Sequence, residues 1–335
     1  MGTEVDALIT CGIESTAHTL GIGITKNGKI LSNAMDMYKP EKEGILPRKA
    51  ADHHAQVFGE VYKKALADAK IDIDEIDLIA FAHGPGIGAP LAVGVSAAKY
   101  IATKFKKKII GVNHCYAHAK ISENLTKLKN PLVLYLSGGN SQILTEEDGF
   151  YRVLGETLDI GIGNLFDSFA RSIGMEFAHG SALERLAKNG KYIPLPYSVK
   201  GMNLVFSGLG TEAEKQTKKH AVKDVAFSLM ETAFAMTCEA TERALFLTKK
   251  KRLIVCGGVA QNNRLQEMLR TMCKGDGVRF GVAPNEYNRD NGAMIAFAGE
   301  LLYKKYGDRP VKEWYPITNY RIDRMKEVLG KHTKH

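Results

Sequence analysis

"ALITCGIESTAHTLGIGITKNGKIL" (Ala7–Leu31) reads as strand, small polar loop, strand, Asn-Gly turn, strand, and "LVLYLSGGNSQILTEEDGFYRVLG" (Leu132–Gly155) repeats that plan with Asp-Gly at the turn. Asn-Gly and Asp-Gly between apolar-rich runs favour the two-residue turns that join antiparallel strands. A second unit also recurs. "IDLIAFAHGPGIGAPLAVGVSAAKYIATKFKKKIIGV" (Ile76–Val112) and "KRLIVCGGVAQNNRLQEMLRTMCKGDGVRFGV" (Lys251–Val282) each run strand, glycine loop, helix, strand. The duplication predicts an α/β protein of two lobes, residues 1–131 and 132–292, around a cleft, with a C-terminal helix over 293–325 packing back on the first lobe. Two longer helical segments, His53–Lys70 and Val222–Thr248, lie between these repeats. The methionines and phenylalanines of the second fall at helical spacing, which marks them as core.

Composition agrees with this size. A chain of 335 residues, 44% hydrophobic and 25% charged, suits two domains of a water-soluble protein. No window approaches the roughly 18 apolar residues of a membrane span, and the first residues, "MGTEVD", lack a basic leader segment. Five cysteines without any CxxC fit reduced thiols. A cytoplasmic location is therefore expected, and the sequon at Asn124 is incidental. The formal charge of +9 favours a polyanionic partner. The basic runs Lys104–Lys108 and Lys249–Arg252 nevertheless read first as cations at helix C-termini, since each follows a helical pattern and precedes a strand.

Three glycine loops are candidates for phosphate binding, because backbone N–H groups are free where a strand ends and a helix begins. These are Ser137–Asn140, Gly257–Asn262 and His83–Pro90. None is a Walker A loop, as no Gly-Lys-Ser/Thr follows. In a duplicated frame the first two are expected to face one another across a cleft, an arrangement that resembles an actin-like or sugar-kinase-like nucleotide site. Between them, Asp167 and Glu184 lie in partly apolar helical surroundings, where a carboxylate suits ribose or threonine hydroxyl and amino groups as well as plain solvent.

"GVNHCYAHAKI" (Gly111–Ile121) places His114 and His118 one helical turn apart on one face. Imidazole is the commonest metal ligand, but two histidines make an incomplete site. A zinc-peptidase motif needs glutamate after the first histidine, and Cys115 stands there. Asp290, just ahead of a helix, and Tyr135, before the Ser-Gly-Gly loop, offer further oxygen ligands that would suit Fe or Zn. His53 and His54 are adjacent, so they do not share a helix face and read as structural.

Six motifs in order, "GIEST", "NHCYAHA", "LYLSGGNSQ", "FSGLGT", "CGGVAQNNRL" and "DNGAMIA", together resemble the universal tRNA threonylcarbamoyltransferases, in particular their archaeal and eukaryotic branch. The resemblance runs from about Asp6 to about Arg321. It implies the actin, hexokinase and heat-shock-ATPase fold. It implies transfer of threonylcarbamoyl from threonylcarbamoyl-adenylate to N6 of the adenosine 3′ of the anticodon in ANN-decoding tRNAs. It also implies one divalent metal, Fe or Zn, on His114, His118, Tyr135 and Asp290. Adenylate or ATP-type contacts fall on Tyr135, Leu136, Ser137, Gly138, Gly139, Asp167, Gly180, Glu184 and Asn262. The implied partners are tRNA, a small atypical kinase and two small accessory subunits of a KEOPS-type complex, with no membrane. His179 and Ser181 depart from the family pattern, which usually has glycine and proline there. No side chain beyond the metal site is assigned a catalytic role. Two other functions, a nucleotide-driven regulatory or nucleic-acid-binding module and a disfavoured metallo-endopeptidase, compete with this reading.

Overall fold

The structure, a computed structural model, describes residues 7–39, 44–176 and 179–330. The chain opens with β1 (Ile9–Glu14), β2 (Thr19–Lys26) and β3 (Lys29–Met37), then α1 (Pro47–Ala69). A crossover follows, β4 (Leu78–Gly84), α2 (Gly88–Lys104) and β5 (Lys108–Asn113), and α3 (His114–Thr126) starts directly after it. The plan then repeats with β6 (Leu132–Leu136), β7 (Ser141–Glu147) and β8 (Phe150–Glu156). Helices α4 (Ile162–Ser172) and α5 (Gly180–Ala187) precede a short hairpin, β9 (Val199–Lys200) and β10 (Asn203–Leu204). After α6 (Ser207–Gln216) and α7 (Val222–Thr248) comes the second crossover, β11 (Arg252–Cys256), α8 (Asn263–Gly275) and β12 (Arg279–Val282). The chain ends with α9 (Asn285–Asn288), α10 (Gly292–Tyr306) and α11 (Met325–Gly330).

Two compact units result, Met1–Ile121 with Arg289–His335, and Ser122–Asn288. Their sheets share one order, β3-β2-β1-β4-β5 in the first and β8-β7-β6-β11-β12 in the second. In each, an antiparallel meander of three strands continues into a parallel pair reached by a strand–helix–strand crossover. Turn chemistry joins the last two strands of both meanders alike. Asn27 and Gly28 take φ of 48° and 76°, Asp148 and Gly149 take 52° and 78°, the left-handed pair that a tight hairpin turn requires.

In the first unit, β1 and β4 are buried at every residue, as expected of strands covered on both faces. Helix α10 lies against this sheet at very close range. A Cβ on Gly23 would stand 2.1 Å from the backbone nitrogen of Ala293, and one on Gly292 would stand 2.1 Å from that of Gly23. Only glycine at both positions permits the approach. The helix also holds the turn between β2 and β3, because Glu300 Oε2 accepts the Gly28 N–H at 2.8 Å. It ends at Tyr306, where Gly307 takes φ of 70°; the stretch expected to be helical to 325 instead runs as irregular chain with two single 3₁₀ turns, Val311–Glu313 and Ile322–Arg324, and buries Trp314 and Tyr320.

The second unit buries Leu132, Leu134 and Leu136 of β6 with Phe166 and Phe169 of α4 and Met230, Phe234 and Met236 of α7. Those α7 side chains are core as their spacing predicts, whereas Phe246 and Leu247 in its last turn are exposed. None of the five cysteines forms a disulfide, and burial pushes the Cys11, Cys238 and Cys273 thiols up to about 12. Among the described residues, no helix is long and apolar enough to cross a membrane.

Candidate metal centre and nucleotide loops

The metal candidate forms where β5 stops. Asn113 Oδ1 accepts the Tyr116 N–H at 3.1 Å and caps the first turn of α3, so the helix opens on His114 with His118 one turn later. Their rings meet edge to face at 4.7 Å, at an interplanar angle of 81°. Asp290 enters from the turn before α10, which Asn291 holds by accepting the Met294 N–H at 2.9 Å. One Asp290 oxygen lies 3.5 Å from His114 Nε2 and 3.3 Å from His118 Nε2. Two ligand atoms each bonded at about 2.0–2.1 Å to one tetrahedral ion stand about 3.4 Å apart. The three donor atoms, all within 4.8 Å of one another, therefore fit a divalent ion.

Charge supports the same assignment. Burial alone would lower His114, but the Glu14 and Asp290 carboxylates raise it to about 9. Burial lowers His118, with Asp290 pulling the other way. Burial would raise Asp290, yet the two imidazoles hold it well below the usual carboxylate range. Two carboxylates around two imidazoles make a pocket that attracts a cation, and a divalent ion can replace the bound proton.

Glu14 is the member that sequence reasoning missed, although "GIEST" contains it. Its signal was present: an acid ending the wholly buried strand Ile9–Glu14 is costly without partners. Glu14 Oε2 accepts from His114 Nδ1 at 2.9 Å. That is the side of the ring away from Asp290, so Glu14 does not stand in for the general base that a zinc peptidase requires.

The nucleotide candidates gather in the second unit. Tyr135 and Leu136 are buried in β6, while Gly138 and Gly139 are exposed. The Ser137–Asn140 loop closes on itself through Ser137 N–H to Asn140 O at 2.8 Å. The start of α4 grips it, with Gly163 N–H to Ser137 O at 3.2 Å and Asn164 N–H to Gly138 O at 3.0 Å. A Cβ on Gly257, at φ of 94°, would meet Leu136 O at 2.3 Å. The two glycine loops expected to face one another thus emerge side by side. The reason is that β11 pairs in parallel with β6, so both strands release their loops at the same sheet edge.

The other expected contacts form two pairs. Asp167 Oδ1 accepts the Gly180 N–H at 2.8 Å, tying α4 to the first residue of α5. Glu184 accepts from the Asn263 backbone and the Asn262 side chain, and burial still raises its carboxyl. Asn262 also caps α8, accepting the Leu265 N–H at 2.9 Å. His179 serves as the N-cap of α5, its Nδ1 accepting the Ser181 N–H at 3.2 Å. That polar pair does the work of a tight turn, while Ala178, just before it, lies outside the described residues. The third loop, His83–Pro90, has two of its amides engaged: Gly86 N–H bonds Thr318 O at 3.1 Å and Ile87 N–H bonds Thr16 O at 2.7 Å. His53 Nε2 pairs with Asp36 at 2.8 Å, and His53 is not among the three metal donors.

Two sheets of identical order with a glycine loop at a strand end define a duplicated actin-like ATPase fold, and solved structures agree. The HypF structure from Thermococcus kodakarensis superposes with a TM-score of 0.66 at 16% identity, over 90% of this chain and 48% of that one. Component A of the Acidaminococcus fermentans (R)-2-hydroxyglutaryl-CoA dehydratase gives 0.56 at 15% identity, over 89% and 98%. At such identities the likeness concerns fold alone. Sequence carries the family: residues 29–297 match the model of the tRNA N6-adenosine threonylcarbamoyltransferases (TsaD), and the chain belongs to that family of transferases. A relative of that name in Thermococcus sibiricus is 49% identical over 95% of this chain and 99% of its own length. A Methanocaldococcus jannaschii protein named as a probable bifunctional tRNA threonylcarbamoyladenosine biosynthesis protein is 47% identical, and this chain covers 62% of it.

Proposed function

We propose that this chain moves threonylcarbamoyl from threonylcarbamoyl-adenylate to N6 of the adenosine 3′ of the anticodon in ANN-decoding tRNAs, with one divalent metal, Fe or Zn. The observation that carries the reading is the convergence of His114, His118 and Asp290 in a member of this family. Tyr135 completes the ligand set. Such an ion supplies Lewis acidity toward the attacked carbonyl or the adenylate phosphate.

The donor is already an activated mixed anhydride, so the chain's own residues mainly position it and exclude water. Backbone N–H groups of Gly138 and Gly139 receive the phosphate. Glu184, presented by Asn262 and Asn263, and Asp167 beside Gly180 accept from ribose or threonine groups. The chain acts in the cytoplasm within a KEOPS-type complex. The bifunctional names of the longer archaeal relatives support a second activity as a partner, here a small atypical kinase on a separate chain with two small accessory subunits.

Nucleoside mass spectrometry tests this. An unmodified ANN-decoding tRNA is incubated with the chain, its partners and supplied threonylcarbamoyl-adenylate, beside the same mixture carrying His118→Ala. Threonylcarbamoyladenosine is expected with the wild-type chain, and on the order of a thousandfold less rate with the variant, the loss of several kcal/mol of barrier lowering. Bound tRNA with intact adenylate and no product would sink the transferase reading in favour of a nucleotide-driven switch.

A further inference from the structure

Glu14 is wholly buried at the end of an apolar strand, and both of its oxygens accept hydrogen bonds. Its Oε1 accepts the Thr16 N–H at 2.6 Å and the Thr16 hydroxyl at 2.5 Å, and its Oε2 accepts from His114 Nδ1 at 2.9 Å. The Thr16 hydroxyl also stands 3.3 Å from the same imidazole nitrogen. An ionised carboxylate kept from water is strongly disfavoured unless such bonds and a nearby positive charge compensate it. This buried carboxylate stands directly behind His114.

The consequence for His114 is directional. With its proton at Nδ1 held toward Glu14, the lone pair of Nε2 points to the side where Asp290 and His118 Nε2 converge. Without Glu14, the ring would divide between two tautomers and could turn about its own axis, and part of the population would offer no lone pair there. Charge balance points the same way. Glu14 and Asp290 together carry two negative charges, which two neutral imidazoles leave for a divalent ion to cancel.

We propose that Glu14, clamped by Thr16, is the positioning residue of the metal centre: it fixes the His114 tautomer and makes that imidazole a stronger donor. The inference rests on the metal reading above and extends it to a residue outside the ligand set. Outer carboxylates of this kind are worth on the order of 10- to 100-fold in metal affinity.

The test uses the full chain stripped of metal and titrated with Co²⁺ alone, whose visible d–d bands report ligand geometry. Glu14→Gln keeps the side chain's shape and removes its charge. It is expected to weaken Co²⁺ binding on the order of 10- to 100-fold and to shift the bands, with near-UV circular dichroism unchanged. Thr16→Val, which spares the carboxylate and loosens its clamp, is expected to change both in the same direction by about three- to tenfold in affinity. Wild-type Co²⁺ affinity and bands in both variants would overturn the positioning role and leave the metal site standing. Failure of the wild-type chain itself to bind Co²⁺ would overturn the metal reading and this one with it.

Discussion

His83 shows what burial does to a titratable side chain that is given aromatic neighbours instead of a carboxylate. Its ring lies 5.1 Å from that of Trp314, 5.4 Å from Tyr320 and 5.7 Å from Phe81. Burial pushes its pKa down to about 4; the Tyr315 backbone opposes the shift and the Arg309 charge adds to it. The folded chain therefore keeps His83 neutral where the unfolded chain, near 6.5, takes up a proton. Stability from this residue is fully present above pH 6.5 and falls by about 1.4 kcal/mol per unit as pH drops toward 4. His83→Phe should flatten that slope, so that the loss between pH 7 and 4.5 shrinks by about 2 kcal/mol. Fluorescence of Trp314, the single tryptophan, followed through urea unfolding at each pH reports the right unit directly. Parallel pH profiles for variant and wild type would contradict the assignment. His114, equally buried but flanked by two carboxylates, moves in the opposite direction, which is why the same side-chain type marks packing at one place and a metal centre at another.

At the scale of elements, the metal centre depends on how closely α10 lies on β1 and β2. Asn33 Oδ1 accepts the Ala293 N–H at 3.2 Å and Asn291 caps the same turn, so the helix start and Asp290 move together. Gly23→Ala would place a methyl 2.1 Å from the Ala293 nitrogen and 2.5 Å from its Cα, contacts that only a backbone shift can relieve. We expect a destabilisation of about 1–3 kcal/mol by urea unfolding and at least a tenfold loss of Co²⁺ affinity, because Asp290 leaves the two histidines. Destabilisation with unchanged metal affinity would show that the turn adjusts independently of the helix. The sequence carried much of this level. Asn-Gly and Asp-Gly set both meanders, and the glycines after β4 and β11 marked both crossovers, since turn chemistry and strand–helix alternation are local. His114 and His118 were legible for the same reason, one helical turn being a local spacing. The neighbourhood of β6 and β11 was not, for more than a hundred residues separate them and nothing in either strand names its partner. Glu14 stayed hidden likewise, because its role exists only once β1 and the start of α3 are brought together.

For the molecule as a whole, charge is the property most open to misreading. The excess of 46 basic over 37 acidic side chains is suited to tRNA, but several cations of the conspicuous basic runs already bond the chain's own oxygens. Lys107 Nζ donates to Asp74 O at 2.8 Å, and Lys104 Nζ to the Tyr100 hydroxyl at 3.1 Å. Lys250 bonds both the carbonyl and side-chain oxygens of Asn130, and Arg252 donates to Lys129 O at 3.0 Å. These runs follow α2 and α7, where cations also offset the helix dipole. They therefore serve the fold first, and the attraction for a polyanion comes from the wider surface. Even three phosphate contacts on RNA imply a slope of log affinity against log salt near −2, a loss on the order of tenfold between 50 and 200 mM. The expected result is a slope at least that steep for the wild-type chain binding an ANN-decoding tRNA. Lys107→Gln with Lys250→Gln should leave that slope within about half a unit of wild type, since both ammonium groups already donate to backbone carbonyls of the fold. Filter binding across a salt series decides the matter. A flat dependence would mean that partner subunits hold the tRNA, whereas a slope lowered by one or two units in the double variant would move the tRNA contact onto the helix ends.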